Sequence, residues 1–434
     1  MTVNRVEIRA LEENEELRTL DRLVRHSMNL DFPERLMDDK RHPSYEDKKF
    51  LTKVEESIRL ESGHYTIALP LRREITQLPS NHSQAFKRLM NLKHKMERNS
   101  NFLKDYRDFM DKIVAKGYAE RVPDHELERD DGRVWFIPHH GVYHPHKPNK
   151  IRVVFDCTAM HQGVSLNSLL LQGPDLTNRL IAVLLRFRQE PVAVMGDIES
   201  MFYQVQVPKE DWDLLRFYWW EKGDLSTEPI VYRMCVHLFG AVSSPSCATA
   251  ALRQTAKDNR STFTLRVTEV VNKSFYVDDC LKSVENENKA MELIDDVSAL
   301  CAKGGFHVTK WVSNSPTVIH SIPVNERAGS VKALDLKNEE LPEERALGVL
   351  WSVQKDCFKF DIQVKAKSPT RRGILSIVSS VYDPLGYASP YVLVAKILLQ
   401  QLCKENLGWD QEISYRDQKT WQQWIDGLSK LKKH

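Results

Sequence analysis

Phe275-Tyr276-Val277-Asp278-Asp279-Cys280 is the stretch whose reading decides the fold. Val270–Tyr276 before it and Leu281–Val284 after it read as two arms of a hairpin. Successive side chains on a strand point to opposite faces, so two adjacent aspartates fit the tip of a tight hairpin better than its middle. At a tip they can gather one or two cations. Neighbouring carboxylates repel, and one takes a raised pKa unless a metal compensates. A bare Asp-Asp between strands is more often a solvated turn, because Asp is a common turn residue.

A second segment shifts that balance. Val192-Ala193-Val194-Met195-Gly196-Asp197 reads as a buried strand ending in an acid, followed by Ile198-Glu199-Ser200-Met201-Phe202-Tyr203. Alone, Asp197 would more often cap a helix. If the two strands lie side by side, one carboxylate at a strand end converges with two at a hairpin tip. Two-metal phosphoryl transfer needs that convergence: one ion activates the attacking hydroxyl, the other stabilises the leaving oxygen.

The surroundings suit a globular α/β (α+β) protein. The chain has 434 residues, more than one ordinary domain holds, with 41% hydrophobic and 28% charged residues. No apolar run approaches the roughly 18 residues needed to span a bilayer. Met1–Arg9 has no apolar core of a secretory signal. The net charge is +2, which leaves room for a local basic stripe facing phosphates. Seven scattered cysteines without a C-x-x-C pair fit reduced thiols. Helices are expected over 84–97, over the run Phe102, Tyr106, Phe109, Ile113 with Ser100 as N-cap, and over 177–188, 246–256, 286–303, 371–381 and 391–402. Strands are expected at 65–70, 152–155, 192–195, 214–220 and 230–236, and a second hairpin at 347–351 and 357–362.

With these segments in order, the chain resembles reverse transcriptases. Asp197–Phe202 and Tyr276-Val277-Asp278-Asp279, with Asp197 and Asp278 81 positions apart, resemble motifs A and C. Arg152-Val153-Val154-Phe155-Asp156 looks like the fingers strand that meets the triphosphate. Phe239-Gly240-Ala241-Val242-Ser243-Ser244-Pro245 looks like motif B, Gly305–Trp311 like motif D, and Leu347–Trp351 like the primer-grip hairpin. Pro138-His139-His140, Ser165-Leu166-Asn167, Gly173-Pro174-Asp175-Leu176, Tyr382-Asp383-Pro384-Leu385-Gly386, the Trp409 region and Tyr65–Pro70 resemble one branch, the BEL/Pao-type long-terminal-repeat retrotransposons.

The resemblance implies a right-hand polymerase with fingers, palm and thumb-like segments and a helical N-terminal extension. It implies RNA-directed DNA synthesis: nucleotidyl transfer from a dNTP to a primer 3′-hydroxyl on an RNA or DNA template. Asp197, Asp278 and Asp279 would hold two Mg²⁺, with Mn²⁺ as a substitute. Arg152 would contact the triphosphate, with Lys150 or Lys147 at the γ-phosphate. Phe202 would lie beneath the sugar and exclude a 2′-hydroxyl, and Lys310 would donate a proton to the leaving pyrophosphate. Gly240 and Tyr276 would line the substrate site. Retroviral enzymes carry glutamine just before the motif B glycine; here Phe239 stands there. For Arg152, Lys310 and Phe202 the plain alternatives are a strand-edge charge, a surface lysine and a core ring.

Residues 1–60 are expected to be a charged extension or linker, and 61–133 a helical pre-polymerase segment. Residues 134–325 would be fingers and palm, and 326–434 the primer grip and a thumb- or connection-like segment, stopping before any RNase H. In that family peptidase, RNase H and integrase accompany the polymerase, and none is evident in these motifs. An intracellular site, a cytoplasmic particle or the nucleus, is implied, without membrane partners. The rival reading is a catalytically inactive or host-adopted remnant that binds nucleic acid. His139, His140, His144 and His146 are crowded enough to suggest a metal site, but they lie in a proline-bearing loop with no cysteine partner at finger spacing, so a metal site is disfavoured. The basic helix with Lys87, Arg88, Lys93, His94, Lys95 and Arg98 reads as a solvated face or a nucleic-acid contact.

Overall fold

The computed structural model describes residues 43–431, apart from 130, 145–146, 333, 335–338 and 363–366. The chain divides into two compact units, Met1–Lys49 and Phe50–His434. Of the first, only the opening of helix Tyr45–Ser57 is described. Every other described element belongs to the second unit. Among the described residues no helix is long and apolar enough to cross a membrane.

The centre is a four-stranded antiparallel sheet in the order Val308–Ser313, Val192–Ile198, Asp279–Val284, Phe275–Tyr276. This is the palm. Its strand Val192–Ile198 is buried on both faces, as a run of Val, Ala, Met and Ile requires. Val194 and Ile198 join the core formed with helices Ser244–Asp258, Leu265–Lys273 and Glu287–Ala302. Ala193 and Met195 face the opposite way, onto helix Leu180–Phe187 and Trp351. Phe50 and Val54, within the span expected to be a linker, are buried in the helix-side core.

The helical segments follow the apolar spacing closely. Helices His82–Glu97 and Ser100–Ala115 form where expected and bury Leu89, Met96, Phe102, Tyr106 and Ile113, while Phe109 of the expected run is half-buried. The cap differs: Asn99, not Ser100, accepts the backbone N–H of Phe102 at 3.0 Å. One expected strand arm is a helix. Val270 belongs to helix Leu265–Lys273, because Val267, Val270 and Val271 bury together at helical spacing; only Phe275–Tyr276 remains extended. Strand 65–70 shortens to His64–Thr66, and 192–195 lengthens to Val192–Ile198.

The region expected to form the fingers combines hairpin His139–His144/Lys147–Phe155 with a sheet in the order Ala119–Arg121, Ile230–Met234, Arg216–Trp219, whose first strand lies before that span. Their aromatic core encloses a buried ionic knot. Asp213 is 2% exposed and accepts from Arg129 (2.6 Å), Arg216 (2.8 Å) and Arg233 (3.3 Å). Burial pushes its carboxyl up, but the guanidiniums outweigh burial and hold it below the ordinary carboxylate range. The three-stranded sheet Glu343–Ala346, Val349–Ser352, Cys357–Lys359 packs on the palm through Trp351. Helices Arg371–Val378, Ser389–Lys404 and Tyr415–Leu431 share a separate core around Ile374, Leu398, Trp421 and Trp424.

Removing one partner of a buried ionic cluster leaves the others uncompensated. Asp213→Ala is expected to cost about 3–5 kcal/mol. Urea midpoints read the effect, and an exposed control, Lys273→Ala, should change stability by roughly 0–1 kcal/mol. A near-neutral Asp213→Ala would show that the knot is not a stability element.

Candidate active site

The register between the two central strands sets the site. Asp279 lies directly across from Asp197, so both side chains leave the sheet on the same face. Tyr276 pairs with Asp279 across the hairpin, which confines the turn to Val277 and Asp278. The backbone N–H of Ile198 donates to the carbonyl of Asp278 at 2.9 Å, tying the hairpin tip to the strand that carries Asp197. Val277 has φ +56°, a left-handed conformation unusual for a β-branched residue. Strain of that kind is held in place by the surrounding sheet.

The carboxylates push one another upward. Burial raises Asp279, and Asp278 and Asp197 raise it further, to about 7, against the opposing pull of Lys310. Burial raises Asp278 as well, with Asp197 adding to it and Lys310 opposing. The Lys310 ammonium pairs with the Asp197 carboxylate. It does so from a bulge between Thr309 and Val312, where Lys310 itself has φ +54°. Glycine is the usual occupant of a left-handed bulge position. Opposite the bulge, a Cβ on Gly196 would sit 2.7 Å from the Trp311 ring, so only glycine leaves room for it.

Among the described residues no three His, Cys, Asp or Glu side chains already converge as a metal-binding cluster. The donor chemistry does fit a hard divalent cation. Asp197 and Asp279 share a face, Asp278 is beside them, and all are oxygen ligands; such ions commonly take one or two carboxylates and complete their shell with phosphate oxygens and water. Glu199 is committed elsewhere: Lys116 (3.1 Å) and Lys112 (3.3 Å) overcome its burial and hold its pKa at about 2.

Phe202 lies on the short turn Met201–Gln204, with Ser200 before it at φ +52°. Its ring meets Phe239 at 4.5 Å between centroids. Gly240 has φ +125°, and a Cβ there would lie 2.5 Å from the carbonyl oxygen of Phe155. The motif B loop thus rests on the strand that carries Arg152. The Arg152 side chain is exposed and, among the described residues, makes no hydrogen bond or ion pair, so nothing of that kind joins it to the carboxylates. Lys150 is exposed, and the side chains of Lys147, His144 and His146 lie outside the described residues. Tyr276 is half-buried against the core under Trp351.

Two features escape a reading of the sequence. Asn167 grips the motif B loop on both sides, donating to the Gly240 carbonyl and accepting from Val242 N–H, each at 3.0 Å. Its place in Ser165-Leu166-Asn167 was the available signal. His139 is a core residue: it bonds Tyr106 and the Tyr218 carbonyl (2.8 Å), and burial pulls its pKa down to about 4. The basic helix is partly structural, since Arg88 pairs with Asp156 at 2.7 Å and Lys95 lies over the Phe102 ring.

Residues 370–434 match the family described as Pao retrotransposon-like RNaseH-like domain. That segment is similar in sequence to Pao retrotransposon proteins. The match bears out the BEL/Pao resemblance of the motifs, and it includes Tyr382–Gly386 and Trp409. It falls within the span expected to be thumb- or connection-like. No curated protein is significantly similar in sequence to the chain. Among solved structures, a foamy viral protease–reverse transcriptase in complex with double-stranded DNA is similar, at TM-score 0.49 and 15% identity over 76% of this chain and 48% of that one. The foamy viral protease–reverse transcriptase in complex with an RNA/DNA hybrid gives TM-score 0.43 and 15% identity over 92% and 46%. The chain spans under half the length of either.

A carboxyl raised by folding binds its proton more tightly in the native state. Its contribution to stability is therefore full below the unfolded pKa and is lost as pH rises through the folded one. For Asp279 the loss runs from about pH 4 to about pH 7. Without divalent cations, Asp279→Asn should be more stable than wild type at pH 8, by roughly 1–3 kcal/mol, and about equal at pH 4. Thermal unfolding at the two pH values measures this. Equal stability at pH 8 would mean the carboxylates do not repel as their register requires.

Proposed function

We propose that the chain is a nucleotidyltransferase that extends a primer 3′-hydroxyl with deoxynucleoside triphosphates on an RNA or DNA template. The observation that carries this reading is the direct opposition of Asp197 and Asp279, with Asp278 at the adjoining hairpin tip. Like charges brought together on a sheet cost stability, and such an arrangement is expected where the charges serve a ligand.

In this reading Asp197, Asp278 and Asp279 hold two Mg²⁺, with Mn²⁺ as a substitute. The bound ions would lower the pKa of the primer hydroxyl and offset charge on the phosphates. Asp279, whose pKa burial and the neighbouring carboxylates push up to about 7, would give up its proton in order to hold a cation. Lys310, paired with Asp197, stands ready to shift toward the leaving pyrophosphate as a proton donor. Arg152, exposed and without a partner among the described residues, offers a bidentate guanidinium to the triphosphate. Lys150 is placed on the same strand. Gly240 brings backbone close to the nucleotide, Tyr276 supports the hairpin, and the Phe202 ring lies beneath the sugar.

Asp278→Asn tests the reading. It should abolish primer extension in Mg²⁺ while leaving duplex affinity largely intact, since affinity comes from cationic groups on phosphates. Full extension by the variant would overturn the metal assignment. A wild type that binds duplex and extends nothing would favour the nucleic-acid-binding remnant.

Sugar choice gives a second test. Exclusion by a ring acts against the larger substrate. Phe202→Val should narrow the preference for dGTP over GTP by about tenfold or more, through a gain in kcat/KM with GTP. An unchanged ratio with both rates intact would return Phe202 to a purely packing role.

A further inference from the structure

Phe202 has an open side that the palm core does not close. It projects from a four-residue turn and is only partly buried against the helix-side core. Among the described residues its one aromatic neighbour is Phe239, at 4.5 Å and 34° between planes. Phe239 in turn meets Tyr203 edge-on, at 5.1 Å and 88°. Tyr203 is 6% exposed and packs on Tyr118 at 5.2 Å. Phe239 therefore wedges between a ring fixed in the core and a ring that is not.

The wedge is itself held rigidly at its backbone. Leu238 before it is buried. Gly240 after it fits against the Phe155 carbonyl without room for a side chain. Asn167 clamps Gly240 and Val242 from the side. Yet 38% of the Phe239 surface stays exposed, a large share for a ring so firmly held.

We propose that Phe239 is a specificity-determining positioning residue: it braces the Phe202 ring and so sets how strictly the site excludes ribonucleotides. The proposal rests on the reading of Phe202 as the ring beneath the sugar. Without the brace, Phe202 can turn toward the vacated volume and make space for a 2′-hydroxyl. A residue that acts only through Phe202 has nothing to act on once that ring is gone, which gives the proposal a signature beyond lost activity.

The test is single-nucleotide insertion of dGTP and GTP by wild type, Phe239→Ala, Phe239→Tyr, Phe202→Val and the double variant Phe202→Val/Phe239→Ala. Phe239→Ala should narrow the kcat/KM ratio of dGTP to GTP about tenfold, through a gain with GTP, and Phe239→Tyr should keep the wild-type ratio. In the Phe202→Val background, adding Phe239→Ala should change the ratio no further. Phe239→Leu, with thermal unfolding measured alongside, serves as the milder truncation and should shift the ratio in the same direction. An unchanged ratio in both truncations, or a full additive effect in the double variant, overturns the brace while leaving the polymerase reading standing. A wild type that inserts neither nucleotide overturns both.

Discussion

Two aspartates facing each other across paired strands are the constraint around which the palm is organised. Asp197 and Asp279 share one face of the sheet, with Asp278 beside them, and their repulsion is strengthened by burial. A protein can tolerate that only by supplying a counter-charge and by making the register hard to slip. Lys310 supplies the charge. The register is secured from both faces: a slip of one residue would turn Val194 and Ile198 out of one core and Ala193 and Met195 out of the other.

The strain in the site follows from the same demand. Val277 takes a left-handed conformation so that a two-residue turn can set Asp278 beside Asp279. Lys310 takes one so that a bulge can aim its ammonium at Asp197. Gly196 makes the bulge feasible by leaving space for Trp311. Each departure is local, and each is over-determined by packing around it. The ionic knot of Asp213 is the contrasting case: its charges are fully partnered, and its carboxyl is held low where Asp279 is held high. Charges of opposite sign are brought together around Asp213, and charges of like sign are brought together around Asp279.

The motif B loop adds a mechanical link. Gly240 rests on Phe155, Asn167 holds both ends of the turn, and Phe239 touches Phe202. The fingers strand, the loop and the palm turn thus form one contiguous path. Sites built on rigid elements hold their geometry more closely than sites on free loops.

The sequence alone was enough to find the aspartates, the order of the motifs and most helices, because these depend on local chemistry and spacing. A short apolar run ending in an acid made Val192–Met195 legible as a strand, and the 3.6-residue period exposed the helices over His82–Glu97 and Ser100–Ala115. Val270–Lys273 misled for a physical reason: β-branched valines suit a strand, but their packing at helical spacing against the palm decided otherwise. Tertiary structure alone decided which carboxylates face each other, since register is a property of two strands and not of either one. It also decided that Glu199 is neutralised by Lys112 and Lys116, more than eighty positions away, and that Lys310 meets Asp197 through a bulge. The contact between Phe239 and Phe202 belongs to the same class. Nothing in either segment specifies the other, and only the folded chain, by fixing Gly240 against Phe155, brings the two rings together.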